Sequence, residues 1–347
     1  MTIDRYRFET GIYRPPSEGG SASLLVRFTR NCPWNHCTFC SMYKTEKFQL
    51  RTVEEIRADI DAMAALAADM QTLSGKTGSI TRDGVMALLE KVPELERHTG
   101  FAMLVHWLMA GGKTAFIQDA NSLIMKTPDL VAALTHLKTT FPSITRITTY
   151  ARARTLSQKP AQDLEAIRRA GLDRLHLGLE TGDDELLKAI RKGVTAEDHI
   201  KAGKKAVAAG FQVSEYWMPG LGGKEKSVDH ARQTARVLNA INPHYIRSRP
   251  FRPIPGTPLH QQVQSKEITQ LSPGEHLEEL RIMIQELTVT GRVCFDHAMN
   301  HWQRPGGGLL FTHDYEGYQF PEEKPRLLAL IEQGLAVNQP VPRMLNL

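Results

Sequence analysis

Two apolar rhythms alternate along this chain. Short, nearly continuous runs rich in β-branched and aromatic residues have the signature of buried strands. They fall at residues 23–30, 113–119, 146–150, 174–179, 211–218 and 245–249. Between them, apolar residues recur at helical spacing over 52 to about 70, from 127 onward, and over 160–170, 183–192, 195–209 and 226–240. Two helix starts are explicit. Thr52 and Glu55 have the spacing of a capping box. Thr127-Pro128-Asp129 offers a hydroxyl cap, a proline at the first helical position and an acid at the positive end of the helix dipole.

Six strands alternating with helices predict parallel strands joined by right-handed crossovers. Such an array closes into a full or partial barrel, or lies open as a doubly wound sheet. In each case ligands gather at the carboxyl ends of the strands. Residues 71–112 carry Gly75, Gly78 and Gly84 and two helices near 82–92 and 98–110. They read as an insertion, because strand–helix alternation resumes afterwards. A Pro/Gly/Ser-rich stretch at 14–20 precedes the first strand. Beyond Pro258 the alternation weakens into a helix near 273–287, the stretch 288–296, a glycine loop at 305–308 and an amphipathic helix near 322–334. The expected division is a strand–helix unit over 1–259 and a C-terminal extension over 260–347 covering the substrate side. No period suggests solenoid repeats.

Composition is that of an ordinary globular protein, 41% hydrophobic and 23% charged. The first ten residues have no apolar core, and the longest apolar run, 101–110, is about half the ~20 residues needed to span a bilayer. The expectation is a cytoplasmic chain with no membrane span. A pI near 9.0 and a net charge of +5 admit an anionic substrate or nucleic acid. The charges are scattered without a basic tail, which favours a solvated mixed surface over an RNA-binding arm.

The cysteines change the picture. Cys32, Cys37 and Cys40, separated by four and two residues, fall on the loop leaving the first strand, and Cys294 lies far downstream. Without an export signal this grouping reads as a metal site and not as a disulfide framework. Three thiolates leave one position of a soft metal centre open. A plant-type ferredoxin opens with the same spacing, but needs a fourth nearby cysteine; a structural zinc site would draw on His36. Other motifs mislead. The Gly-Lys-Thr triplets at 75–77 and 112–114 have Met70 and Trp107 where a phosphate-binding loop needs its first glycine. Glu225 follows Lys224 after Gly220-Leu221-Gly222-Gly223, where that loop needs Ser or Thr, so nucleotide hydrolysis is disfavoured.

With the aromatic Phe39 just before its last cysteine, the loop resembles the cluster loop of the radical S-adenosylmethionine superfamily. Gly178-Leu179-Glu180-Thr181-Gly182-Asp183-Asp184-Glu185-Leu186-Leu187, then Arg191-Lys192-Gly193 and Pro255-Gly256-Thr257-Pro258, resemble the branch of elongator-type, methylthiotransferase and coproporphyrinogen-dehydrogenase-like enzymes. The resemblance covers about residues 14–260. It implies an α/β fold, a partial (β/α)6 TIM-like barrel with parallel strands and a C-terminal α-rich extension. It also implies an oxygen-sensitive 4Fe–4S cluster on Cys32, Cys37 and Cys40, whose fourth iron takes S-adenosylmethionine.

Cofactor contacts implied by the resemblance are Phe39, Asp119, Asn121, Glu180, Lys192 and Tyr216, with Arg191 sharing the role of Lys192. The glycine turn at 220–223 resembles the family's turn beside the cofactor. Arg152, Arg154, Arg247 and Arg249, on or just after strands, are placed to meet the cofactor carboxylate or an anionic substrate. The implied chemistry is reductive cleavage of S-adenosylmethionine to a 5′-deoxyadenosyl radical that takes hydrogen from a small-molecule or peptide substrate. A one-electron donor such as flavodoxin or ferredoxin is the implied partner. One cysteine beyond the loop cannot support an auxiliary cluster, which argues against methylthiotransfer. A tRNA-modifying enzyme of the same superfamily, and a non-catalytic iron–sulfur carrier or scaffold, are the alternatives. For Cys294 three readings stand: an inert buried thiol, a hydrogen-atom donor, or a neighbour of a metal held by His297 and His301 from one helical face.

Overall fold

A computed structural model describes residues 2–11, 23–75 and 79–340; the stretch 14–20 and Lys76, Thr77 and Gly78 lie outside the described residues. In chain order the elements begin with β1 (Ser23–Arg27), β2 (Thr29–Arg30), β3 (Gln49–Leu50), α1 (Val53–Leu73), α2 (Arg82–Lys91), α3 (Phe101–Met109) and β4 (Thr114–Gln118). Next come α4 (Thr127–Thr140), β5 (Arg146–Ala151), α5 (Ala153–Gln158), α6 (Ala161–Arg169), β6 (Leu172–Glu180), α7 (Asp184–Ala189) and α8 (Ala196–Ala208). β7 (Gln212–Trp217), α9 (Gly223–Ile241), β8 (Tyr245–Ser248), α10 (Pro258–Gln264), α11 (Pro273–Glu286), β9 (Arg292–Cys294), β10 (Tyr318–Gln319) and α12 (Lys324–Leu335) complete it.

The main sheet has the order β1-β4-β5-β6-β7-β8-β9-β10. Its pairings are parallel from β1 through β9, and β10 runs antiparallel to β9. β1 and β10 are the two edges, so the sheet is a partial α/β barrel. Alternation sorts the side chains by face. Leu24, Val26, Ala115, Ile117, Leu175, Leu177 and Val213 are fully or almost fully buried in the apolar core beneath the helices. The opposite, concave face is polar and aromatic. Along it the rings of Phe116, Tyr150, His176 and Tyr216 step from strand to strand at 5.2, 5.9 and 5.6 Å. No helix of the described residues is long and apolar enough to cross a membrane.

The helix starting at residue 52 has its full capping box. Two expectations are corrected, and two further pieces of structure are added. The first strand stops at Arg27, and Thr29–Arg30 pairs antiparallel with Gln49–Leu50 in a separate two-stranded sheet. Thr127 is not a cap: Lys126 holds that position, and the Thr127 hydroxyl donates instead to Asp163 (2.8 Å). A short helix, α5, follows β5 directly and was not signalled by the apolar pattern. Within the α-rich extension, residues 292–294 add a further parallel strand beside β8.

Glu215 interrupts the apolar face. It stands in register with Leu177 and Ile246, and neither carboxylate oxygen has a hydrogen-bond partner among the described residues. Burial pushes its pKa well above the ordinary carboxylate range. A carboxyl whose folded pKa is raised contributes stability at low pH that is lost as pH climbs from its unfolded pKa through its folded one. Glu215→Leu is therefore expected to stabilise the chain by roughly 1–4 kcal/mol at pH 8 and by distinctly less at pH 5. Denaturant midpoints at the two pH values read this; equal shifts at both would contradict it.

Candidate functional site

The cysteine loop is a hairpin held shut at its base by Thr29–Leu50 and Arg30–Gln49 pairing. Within it Asn31 (φ 68°) and Asn35 (φ 51°) adopt the left-handed conformation that asparagine tolerates better than most residues. Asp119, at the end of β4, fastens the loop. Its side chain is 0% exposed. One carboxylate oxygen accepts from Arg27 Nε (2.7 Å) and the Asn31 amide (2.9 Å), and the other accepts from the Tyr43 hydroxyl (3.0 Å). Lys44 donates to the carbonyls of Asn35 (2.7 Å) and Cys37 (3.0 Å). One buried carboxylate thus joins the strand end, the loop start and the loop return.

The opposite flank leans on the segment after α7. Trp34 Nε1 donates to the Arg191 carbonyl (2.7 Å), and the Thr38 amide to the Ile190 carbonyl (3.0 Å). The indole covers Gly193, where an added Cβ would come within 2.3 Å of the ring. Arg152 lies 4.9 Å from the Trp34 ring centroid and donates to the Lys192 carbonyl (3.0 Å). Asn121 supports Arg152 by accepting from its amide (3.1 Å) and donating to Thr155 (2.8 Å). Lys192 reaches back to Glu180 (2.6 Å) and stands 5.9 Å from the centre of the Phe39 ring.

Five of the seven non-glycine residues with positive φ among the described residues gather here: Asn31, Asn35, Asp119, Glu180 and Arg191. Such backbone strain concentrates at functional sites. At Glu180 it accompanies a register shift between β6 and β7, and an added Cβ on Gly178 would sit 2.2 Å from the Glu180 carboxylate. The electrostatics centre on Cys37 and Lys192. Burial raises the Cys37 thiol, opposed by the Lys192 charge. Burial pulls Lys192 down, but the charges of Glu180 and Cys37 outweigh it and hold the ammonium above its ordinary pKa.

The donor set fits a 4Fe–4S cluster. Cys32, Cys37 and Cys40 are free thiols, partly exposed, on one loop. A cluster takes each thiolate on a different iron, so the ligands need not converge on one point. Among the described residues no three His, Cys, Asp or Glu side chains are arranged around a single ion. Cys294 lies on β9, near the opposite edge of the sheet from β1. It is fully buried, and burial pushes its thiol up to about 12.

Of the other expected residues, Tyr216 faces the concave side next to His176. Arg247 is fully buried and ion-paired with Asp296 (2.8 Å). Arg154, Arg191 and Arg249 are exposed. Residues 297–301 form a turn and not a helix, so His297 and His301 share no helical face and that metal reading is withdrawn. Sequence reasoning did not single out Arg27, Trp34 or Tyr43. Arg27 had a signal: it is the one charged residue in an otherwise buried strand.

The family model described as the Radical SAM superfamily matches residues 26–238, more than half of the chain. The chain belongs to the radical SAM superfamily, whose members use a 4Fe–4S cluster and S-adenosylmethionine. A tRNA uridine(34) acetyltransferase of Methanocaldococcus jannaschii is 27% identical over 118 residues, 34% of this chain and 22% of that protein. A provisionally named methylthiotransferase of the same organism is 25% identical over 202 residues, 56% of this chain and 34% of that protein. These matches span about a fifth to a third of the relatives' lengths. Among solved structures, coproporphyrinogen III oxidase of Escherichia coli superposes with a TM-score of 0.46 at 13% identity, covering 80% of this chain and 56% of that one.

Proposed function

We propose that this chain is a radical S-adenosylmethionine enzyme acting on a small-molecule or peptide substrate held over the concave face of its sheet. One observation carries the reading: three free thiols on a closed hairpin loop at the carboxyl end of β1, beside the cations Lys192 and Arg152. Cys32, Cys37 and Cys40 would hold the cluster, which would supply the one-electron reduction that radical chemistry with S-adenosylmethionine requires. A one-electron donor such as flavodoxin or ferredoxin serves as partner.

The protein's share is binding, orientation and exclusion of side reactions. Lys192 supplies positive charge for the cofactor carboxylate, as a point charge without the planar fork of arginine. Glu180, fixed by its backbone and by Lys192, offers a carboxylate to the cofactor amino group. Asn121 and Tyr216 contribute hydrogen-bonding groups, and Phe39 walls the Lys192 side. Asp119, holding three donors on its two oxygens, positions the cysteine loop. The test is spectroscopic. Anaerobically reconstituted, dithionite-reduced protein is expected to give a paramagnetic cluster signal that changes when S-adenosylmethionine is added. A cluster signal that ignores the cofactor would favour the carrier reading.

A further inference from the structure

The chain leaving β8 runs between the cysteine loop and the C-terminal extension. On one side Phe251 and Leu259 pack with Leu186, Ile190, Met218 and Leu221, and the Leu259 amide donates to the Thr38 carbonyl (3.1 Å). On the other, Arg252 Nη2 lies 3.3 Å from His301 Nε2. His276, from the first turn of α11, closes the gap over Gly220, where an added Cβ would come within 2.1 Å of its Nε2.

The nearby acids are already committed. Asp296 is paired with Arg247 (2.8 Å), Glu275 with Lys224 (2.6 Å), and Glu279 accepts from the Gly220 amide (2.6 Å) and the Ser227 hydroxyl (2.7 Å). Arg249 and Arg252 have no ion-pair partner among the described residues; burial alone lowers the Arg252 pKa. The imidazoles are neutral, and His301 accepts from the Arg252 guanidinium. Burial, then Arg249, Arg252 and His313, holds His297 at about 4, and burial with Arg252 lowers His301. His297 Nδ1 accepts from the Met299 amide (3.2 Å), which leaves its proton on Nε2.

The half-buried guanidinium of Arg252 lacks a counter-charge, which is unfavourable; exposed Arg249, whose charge also reaches His297, adds positive potential, and a planar carboxylate or phosphate matches the guanidinium fork. We infer that Arg249, Arg252 and the His297 Nε2–H, with His301 holding the Arg252 guanidinium in place, form an oxyanion site on the barrel rim that seats a carboxylate or phosphate group of the substrate. This rests on the reading that substrate is held over the concave face.

The test titrates the cluster-loaded full chain with inorganic phosphate and, separately, succinate, at constant ionic strength set with chloride. The readout is the nuclear magnetic resonance signal of the His297 and His301 Cε1 protons, assigned with single His→Gln variants. At least one anion is expected to shift both signals saturably. Phosphate alone marks a phosphate group and succinate alone a carboxylate. Arg252→Gln is expected to weaken binding by about tenfold or more. Arg252→Lys, which keeps the charge without the fork, should fall between the two and carries the test if the glutamine variant melts early. No saturable shift with either anion, or affinity unchanged in both Arg252 variants, overturns the site. Because no turnover is read, a negative result leaves the cluster reading standing, and failed cofactor cleavage leaves this result interpretable.

Discussion

Asp119→Ala is expected to destabilise the protein by about 3–5 kcal/mol and to sharply lower the iron retained after anaerobic reconstitution. The carboxylate is fully buried and holds three donors: Arg27, the Asn31 amide and the Tyr43 hydroxyl. Removing it strands a mostly buried guanidinium whose remaining acidic partner is Glu9 (2.6 Å). It also frees both ends of the cysteine loop at once. Asp119→Asn keeps the shape and one acceptor, so it should lose clearly less. Urea midpoints with an unchanged m-value measure the stability term. An alanine variant within about 0.5 kcal/mol of the parent, the range of a neutral surface change, would remove Asp119 from its anchoring role.

Gly193→Ala should be nearly as damaging, for a different reason. The glycine has φ +75°, a conformation that costs an L-residue roughly 1–2 kcal/mol. Its new methyl would also meet the Trp34 indole at 2.3 Å, a rigid ring that can yield only by moving the cysteine loop. Overpacking of this kind typically costs about 1–3 kcal/mol. The two contributions separate in a double-mutant cycle. Adding Trp34→Ala to Gly193→Ala should recover the steric part and leave the backbone part. Additive losses would mean that Trp34 does not rest on Gly193.

The strand–helix rhythm carried most of the architecture, because buried parallel strands need continuous apolar runs and their helices need an apolar stripe. Thr52 and Glu55 wrote the start of α1 openly, whereas the hydroxyl of Thr127 found a better partner in Asp163 than its own helix. The short pieces were less legible. The two-residue pairing that shuts the cysteine loop and the three-residue β9 are too brief to show a period, and they exist through tertiary contacts. At the site, the thiols were evident from spacing alone. The groups that hold them were not, because Asp119, Arg27 and Tyr43 meet across 92 and 76 positions of sequence. The His297–His301 spacing misled because a turn has no common face for residues four apart.

If the Cys32–Cys37–Cys40 loop holds a cluster that cleaves S-adenosylmethionine, the product is directly countable. The most direct measurement is 5′-deoxyadenosine formed by the anaerobically reconstituted, dithionite-reduced chain with S-adenosylmethionine, set against Cys37→Ala prepared identically. The parent chain is expected to form 5′-deoxyadenosine, and Cys37→Ala only background. Equal amounts from both, or none above background from a parent chain carrying its full cluster, would contradict it.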